Sequence, residues 1–119
     1  MIKAEAQPSQ ESIHRRFTSI PVPPELLGKE LRVVQRAFHN DSKYKDRLAT
    51  IADLEHIKAN PGLFKDLRDK NWHFALGSSI PTGSGVNAPY VRWVGDELYL
   101  SLRLIGSGMD GHDHVLLRD

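Results

Sequence analysis

Leu98, Leu100, Leu102 and Leu104 occupy every second position of one stretch, with Tyr99, Ser101 and Arg103 between them. Side chains return to the same direction every two residues in a β-strand. The stretch from Glu97 to Ile105 is therefore a strand with one apolar face. Gly95-Asp96 just before it has the composition of a two-residue hairpin turn, and Tyr90 to Val94 supplies the strand that enters the turn. A leucine face of this length needs something packed over it.

The first half of the chain carries the helical period. Ile20-Pro21-Val22-Pro23-Pro24 is extended, because each proline disfavours helix in the residue before it. Pro24 suits the first helical position, and Leu27, Leu31, Val34 and Phe38 then fall on one helical face, weakened slightly by Gly28. Asn40-Asp41-Ser42 ends that helix. Tyr44, Leu48, Ile51 and Ala52 share the next face. Thr50 and Asp53 have the spacing of a capping box, so this segment is either one helix over 43–59 or a turn followed by a helix from Ile51. Asn60-Pro61 starts a third, short helix with Leu63, Phe64 and Leu67 on its buried side. Lys65, Arg68 and Lys70 complement its C-terminal end.

The period changes at Trp72. Trp72, Phe74 and Leu76 alternate with His73 and Ala75, which places the two aromatic rings in the core and His73 on the other side. Gly77 to Asn87 is rich in Gly, Ser, Pro, Thr and Asn and reads as a long loop open to functional use. Gly106 to Gly111 is a second loop of the hairpin kind, and Asp113 to Leu117 a last short strand. The fold class expected is α+β: two or three N-terminal helices on a small C-terminal antiparallel sheet with a β-hairpin. A flexible arm covers 1–19, ending in the basic cluster His14, Arg15 and Arg16, and a single domain covers 20–119.

Composition narrows the chemistry. The 119 residues fit one domain, and a 39% hydrophobic share leaves room for a polar tail. Sixteen basic residues oppose fifteen acidic ones, so no global field draws the chain to nucleic acid or membrane, and such binding would need a local patch. The absence of cysteine rules out disulfides, thiolate metal sites and a cysteine nucleophile. With no apolar run of transmembrane length and no secretory leader, a cytoplasmic location is the default, and secretion without a signal stays open.

Gly106-Ser107-Gly108-Met109-Asp110-Gly111 matches the dinucleotide-binding glycine pattern letter for letter. That pattern works at the start of a helix inside a βαβ unit, and eight residues after the last glycine leave no space for one. No cofactor and no metal is expected. His112 and His114 are two apart and share a face of a strand. If Val115 and Leu117 point into the same core as the four leucines, then His112, His114 and Arg118 share the outer sheet face with Tyr99, Ser101 and Arg103. Such a face can stack a base and hold a phosphate. His112, His114 and Arg103 are then candidates for acid–base RNA cleavage, one imidazole taking the 2′-hydroxyl proton, the other protonating the leaving oxygen, the guanidinium holding the developing charge. Tyr90 and Arg92 are candidate interface anchors, being of types common at hot spots.

Nothing in the sequence specifies a nucleophile turn, a Walker loop or an H-E-x-x-H helix. The expectation is a small protein-interaction module of the accessory, effector or immunity type. It would bind a protein partner through an open sheet face and the 77–87 loop, and homodimerisation or strand addition would use open edges. The alternative is a small metal-independent ribonuclease acting on single-stranded RNA. The order of helices first and a histidine-bearing sheet last is similar in layout to small bacterial RNA-cleaving toxins. A third reading is a viral or plasmid-encoded structural or assembly protein, with the arm and the open sheet serving self-association.

Overall fold

The chain enters its fold through a strand that local sequence does not announce. In the computed structural model, which describes residues 16–119, β1 runs over Phe17–Pro21. It pairs antiparallel with β6, Asp113–Arg118, from Phe17 opposite Arg118 to Pro21 opposite His114. Phe17 is buried. The expected arm therefore gives way to sheet at Phe17, and the rest of it, including His14 and Arg15, lies outside the described residues.

The first expected helix divides in two. Pro24–Leu26 forms a 3-10 turn, Gly28 takes a left-handed φ of 82°, and α1 begins only at Leu31 and runs to His39. The break makes Gly28 N–H available to the carbonyl of Met109 at 2.8 Å and leaves Leu27 exposed. Leu31, Val34 and Phe38 form the buried face of α1. The second segment takes the turn-then-helix form: α2 covers Ile51–Ala59, and Asp53 Oδ2 accepts the Thr50 N–H at 2.9 Å in a capping box. The expected third helix is instead two 3-10 turns, Pro61–Leu63 and Lys65–Leu67, which bury Phe64 and Leu67 and expose Leu63.

The sheet has six strands and one parallel pair. β2 is Trp72–Phe74, β3 Ile80–Thr82, β4 Gly85–Val94 and β5 Glu97–Leu104. β4 and β5 form the predicted hairpin around Gly95-Asp96, with Val94 opposite Glu97 and Asn87 opposite Leu104. The other edge of β4 is shared, β3 pairing with its first residues and β2 with Tyr90 and Val91. β6 lies between β2 and β1 and runs parallel to β2. The last strand thus does not join the hairpin, and the wholly antiparallel expectation gives way to a mixed sheet. The loop before β6 is no hairpin turn. It crosses the sheet end and is tied to the start of α1, Leu31 N–H to Ser107 O at 2.7 Å and Met109 N–H to Lys29 O at 2.9 Å. The expected 77–87 loop is largely a second hairpin. Gly83 and Ser84 form its turn, and the Asn87 amide donates to Thr82 Oγ1 at 3.0 Å beneath it.

Helices cover both faces of the sheet, not one. α1 packs over Phe74, Leu76, Ala88, Tyr90, Val115 and Leu117. α2 and the 3-10 turns pack over Ala75, Val91, Leu98 and Leu116 on the reverse side. Each fully buried leucine or phenylalanine contributes about 1.5–3 kcal/mol, so two modest layers serve where one large one was expected. Gly77 marks the tight crossing beside α2: a Cβ there would lie 2.7 Å from the Ala49 carbonyl oxygen.

Candidate functional site

Strand parity decides which predicted residues meet. Trp72 lies opposite Asp113, Tyr90 opposite Ser101, Arg92 opposite Tyr99, and Ala88 opposite Arg103. These side chains therefore point to the α1 side, and α1 stops short of the hairpin end. Tyr99 is exposed, while Arg92, Ser101 and Arg103 are half-buried. His114 and Arg118 project to the α2 side with Leu116, because Leu98 and Leu100 share a core with Leu116 and not with Val115 and Leu117. The expected six-residue face is thus divided. Tyr99, Ser101 and Arg103 stay together with Tyr90 and Arg92. His112, in the loop before β6, reaches the same side. His114 and Arg118 do not, so the three residues considered for RNA cleavage are not gathered at one point.

Around Trp72 the structure gathers a basic and aromatic groove that reaches from the α1 side to Trp93, which packs with the α2-side core. One portion, about 520 Å³, is lined by Arg68, Asp69, Lys70, Trp72, Arg92, Trp93, Val94 and Gly95. The adjoining portion, about 280 Å³, is lined by Lys70, Trp72, Arg103, Asp110, His112 and Asp113. Trp72 and Lys70 are common to both. Trp72 stacks on Tyr90 at 4.6 Å with the rings nearly parallel. The guanidinium carbons of Arg92 and Arg103 stand 4.9 and 5.3 Å from its ring centre, within cation–π range. Arg68 lies over Trp93 in the same way and pairs with Asp96. The alternation of Trp72 with His73 predicts a core ring. Trp72 is the hub of the groove, and its place at the start of the short β2, beside exposed Lys70, is the signal that sequence alone offered.

Arg103 is held from below. Its Nη1 lies 3.3 Å from both carboxylate oxygens of Asp113, and its Nη2 donates to the Gly108 carbonyl at 2.8 Å. Asp113 is 2% exposed and also accepts the Asp110 N–H at 2.8 Å. Burial pushes its pKa up, against the lowering pull of the Asp110 N–H and Arg103. Lys70 and Arg92 make no ion pair among the described residues, so two cations face the groove with charge to offer.

A second cluster lies on the α2 side. His73 is fully buried. Its Nε2 faces the Asp69 carboxylate at 3.0 Å and the Leu67 carbonyl at 3.1 Å, so that nitrogen carries the proton. Nδ1 is hydrogen-bonded to the Ser19 hydroxyl at 2.5 Å, and His114 Nδ1 stands 3.5 Å from the same hydroxyl. The Asp69 pKa falls: burial works upward but is outweighed by the Asn71 N–H and by His73. Carboxylate, imidazole and hydroxyl stand in hydrolase order. The imidazole is enclosed, however, so the arrangement acts as a clamp between β1, β2 and the 68–70 turn, with Asp69 also lining the groove. Among the described residues no three histidines, aspartates or glutamates converge on a point that could hold a metal ion.

No protein-family model matches the chain, and neither a curated protein nor a solved structure does.

Proposed function

We propose that the chain is a small protein-interaction module that docks an acidic segment of a partner along the Trp72 groove and the open face of β4 and β5. The observation that carries this reading is Trp72 flanked by Arg92 and Arg103, with Lys70 beside it. Tryptophan, tyrosine and arginine dominate binding hot spots, and Tyr99 extends the same surface. Aspartates 69, 96, 110 and 113 interleave with these cations. That balance suits a partner with discrete carboxylates better than the continuous charge of a nucleic acid backbone.

The parallel stack of Trp72 on Tyr90 supports a second reading, single-stranded RNA lying in the same groove with a base against the exposed edge of the stack. One titration separates the two. The Trp72 and Trp93 indole N–H signals are followed by NMR as a glutamate-rich peptide or a mixed RNA oligonucleotide is added at low and moderate salt. The proposal expects the peptide to shift both signals and Lys70→Glu/Arg92→Glu to abolish the shifts. RNA shifts with no peptide effect would favour the second reading, and no shift with either would remove the groove from consideration.

A further inference from the structure

The ladder between β2 and β4 stops short of what β4 offers. β2 meets β4 through His73 opposite Val91 and Phe74 opposite Tyr90, and the same register would set Asn71 opposite Trp93. Alternation fixes what that position presents. Ala75 N–H donates to the Pro89 carbonyl at 2.9 Å, and on the other edge Ile105 N–H donates to Val86 O at 3.0 Å. In an antiparallel pair, bonded and non-bonded positions alternate. Arg92 and Val94 therefore aim their backbone groups at β5, and Pro89, Val91 and Trp93 aim theirs at the β2 side. Asn71 does not take its place there. Its N–H is turned to Asp69 Oδ1 at 2.9 Å, and among the described residues no backbone bond joins it to Trp93. The indole Nε1 of Trp93 is also buried without a partner, so Trp93 is short of an acceptor at both of its N–H groups.

The 68–70 turn stands off from the end of β4 and leaves between them the 520 Å³ portion of the groove. Arg68, Lys70 and Arg92 line it, and its one carboxylate, Asp69, is already engaged by His73 and the Asn71 N–H. An open ladder position beside three cations calls for a ligand that brings backbone groups and negative charge together. We infer that the acidic partner segment enters this gap as an extended strand and prolongs the line of β2 along β4, an inference that rests on the docking reading of the groove. One of its carbonyls accepts the Trp93 N–H, and one of its N–H groups donates to the Trp93 carbonyl, as in strand addition. Its side chains alternate between the two faces. The residue opposite Trp93 turns to the side of Trp93 and of Arg68, which lies over that ring, and the next turns to the side of Arg92. Neighbouring carboxylates thus each face a cation, so the fitting sequence is a run of consecutive Glu or Asp. A helix would instead present its acids on one face, three or four residues apart.

The test uses the full chain and follows the Trp93 amide by NMR as it exchanges in heavy water. In the free chain this amide is expected to exchange faster than those of Arg92 and Val94, whose groups face β5. Saturation with the glutamate-rich peptide is expected to slow it about tenfold or more, and Lys70→Glu/Arg92→Glu to abolish that protection. A free-chain Trp93 amide as slow as its two neighbours would overturn the inference, because its donor would already be taken. So would a peptide that shifts the indole signals and leaves this amide unprotected. The segment would then lie in the groove without joining the sheet, and the docking reading alone would stand. No indole shift and no protection would remove both.

Discussion

Ser19 and His73 are bound side chain to side chain across two strands that are not neighbours, Oγ to Nδ1 at 2.5 Å. β6 runs between their strands, so the bond passes over the sheet on its α2 side. With Nε2 committed to Asp69 and Leu67, Ser19 supplies the partner for the other ring nitrogen. Ser19→Ala leaves that nitrogen without its hydrogen-bond partner and is expected to cost about 1–2 kcal/mol of stability. A urea midpoint identical to that of the parent chain would mean that water replaces the hydroxyl at no cost.

His114 gives the fold an acid-sensitive element. Burial first, and the neighbouring His73 second, hold its pKa below the ordinary 6.5. The unfolded chain then takes up this proton at a higher pH than the folded one, so stability falls as the pH drops from above 6.5 toward the depressed value. Urea unfolding between about pH 7.5 and about pH 5 is expected to show this decline, and His114→Gln to flatten it. Asp69, whose pKa is lowered from 3.8, acts only further into acid. An equal slope in parent and variant would place the acid sensitivity in another group.

Asp113 and Arg103 show the opposite sign. The Asp113 carboxylate is buried and its pKa raised by that burial. Arg103→Ala is expected to destabilise the chain by about 2 kcal/mol at neutral pH, less than for a fully buried pair because Arg103 is partly open to water. The deficit should shrink as the pH falls through the raised pKa of Asp113, since a protonated carboxyl no longer needs a cation. Chemical denaturation at two pH values checks this, and a deficit independent of pH would mean that Arg103 acts through its contact with Trp72 instead.

β6 shows why part of this structure was legible in the sequence and part was not. The hairpin around Gly95-Asp96, the buried face of α1 and the start of α2 at Ile51 all follow from periods and caps within one segment. The face on which a strand's core side lies does not. Four alternating leucines define a side of β5 but not which side of the sheet, and that choice scattered His114 and Arg118 away from Tyr99 and Arg103. A signal was present: Val115, Leu116 and Leu117 are consecutive and all buried, the mark of a central strand covered on both faces. β1 was hidden for another reason. Its proline and polar residues give weak strand character, and it is held by its pairing with β6. The Trp72 groove was missed because Trp72 alternates as a core residue would, and only the distant Arg92 and Arg103 turn its ring into a surface.

The pairing of β1 with β6 joins residues about a hundred positions apart, and β2, already paired with β4, takes its second neighbour from the same strand. As the chain leaves a ribosome, β1 emerges early but has no place to dock until residue 118 is out. The hairpin of β4 and β5 can close locally before then, while β1 and β6 depend on the latest contacts in the sequence. Contacts of that range slow folding. Phe17 therefore has no strand partner until β6 has emerged, and a truncation just before β6 would leave β1 unpaired beside the four strands joined through β4.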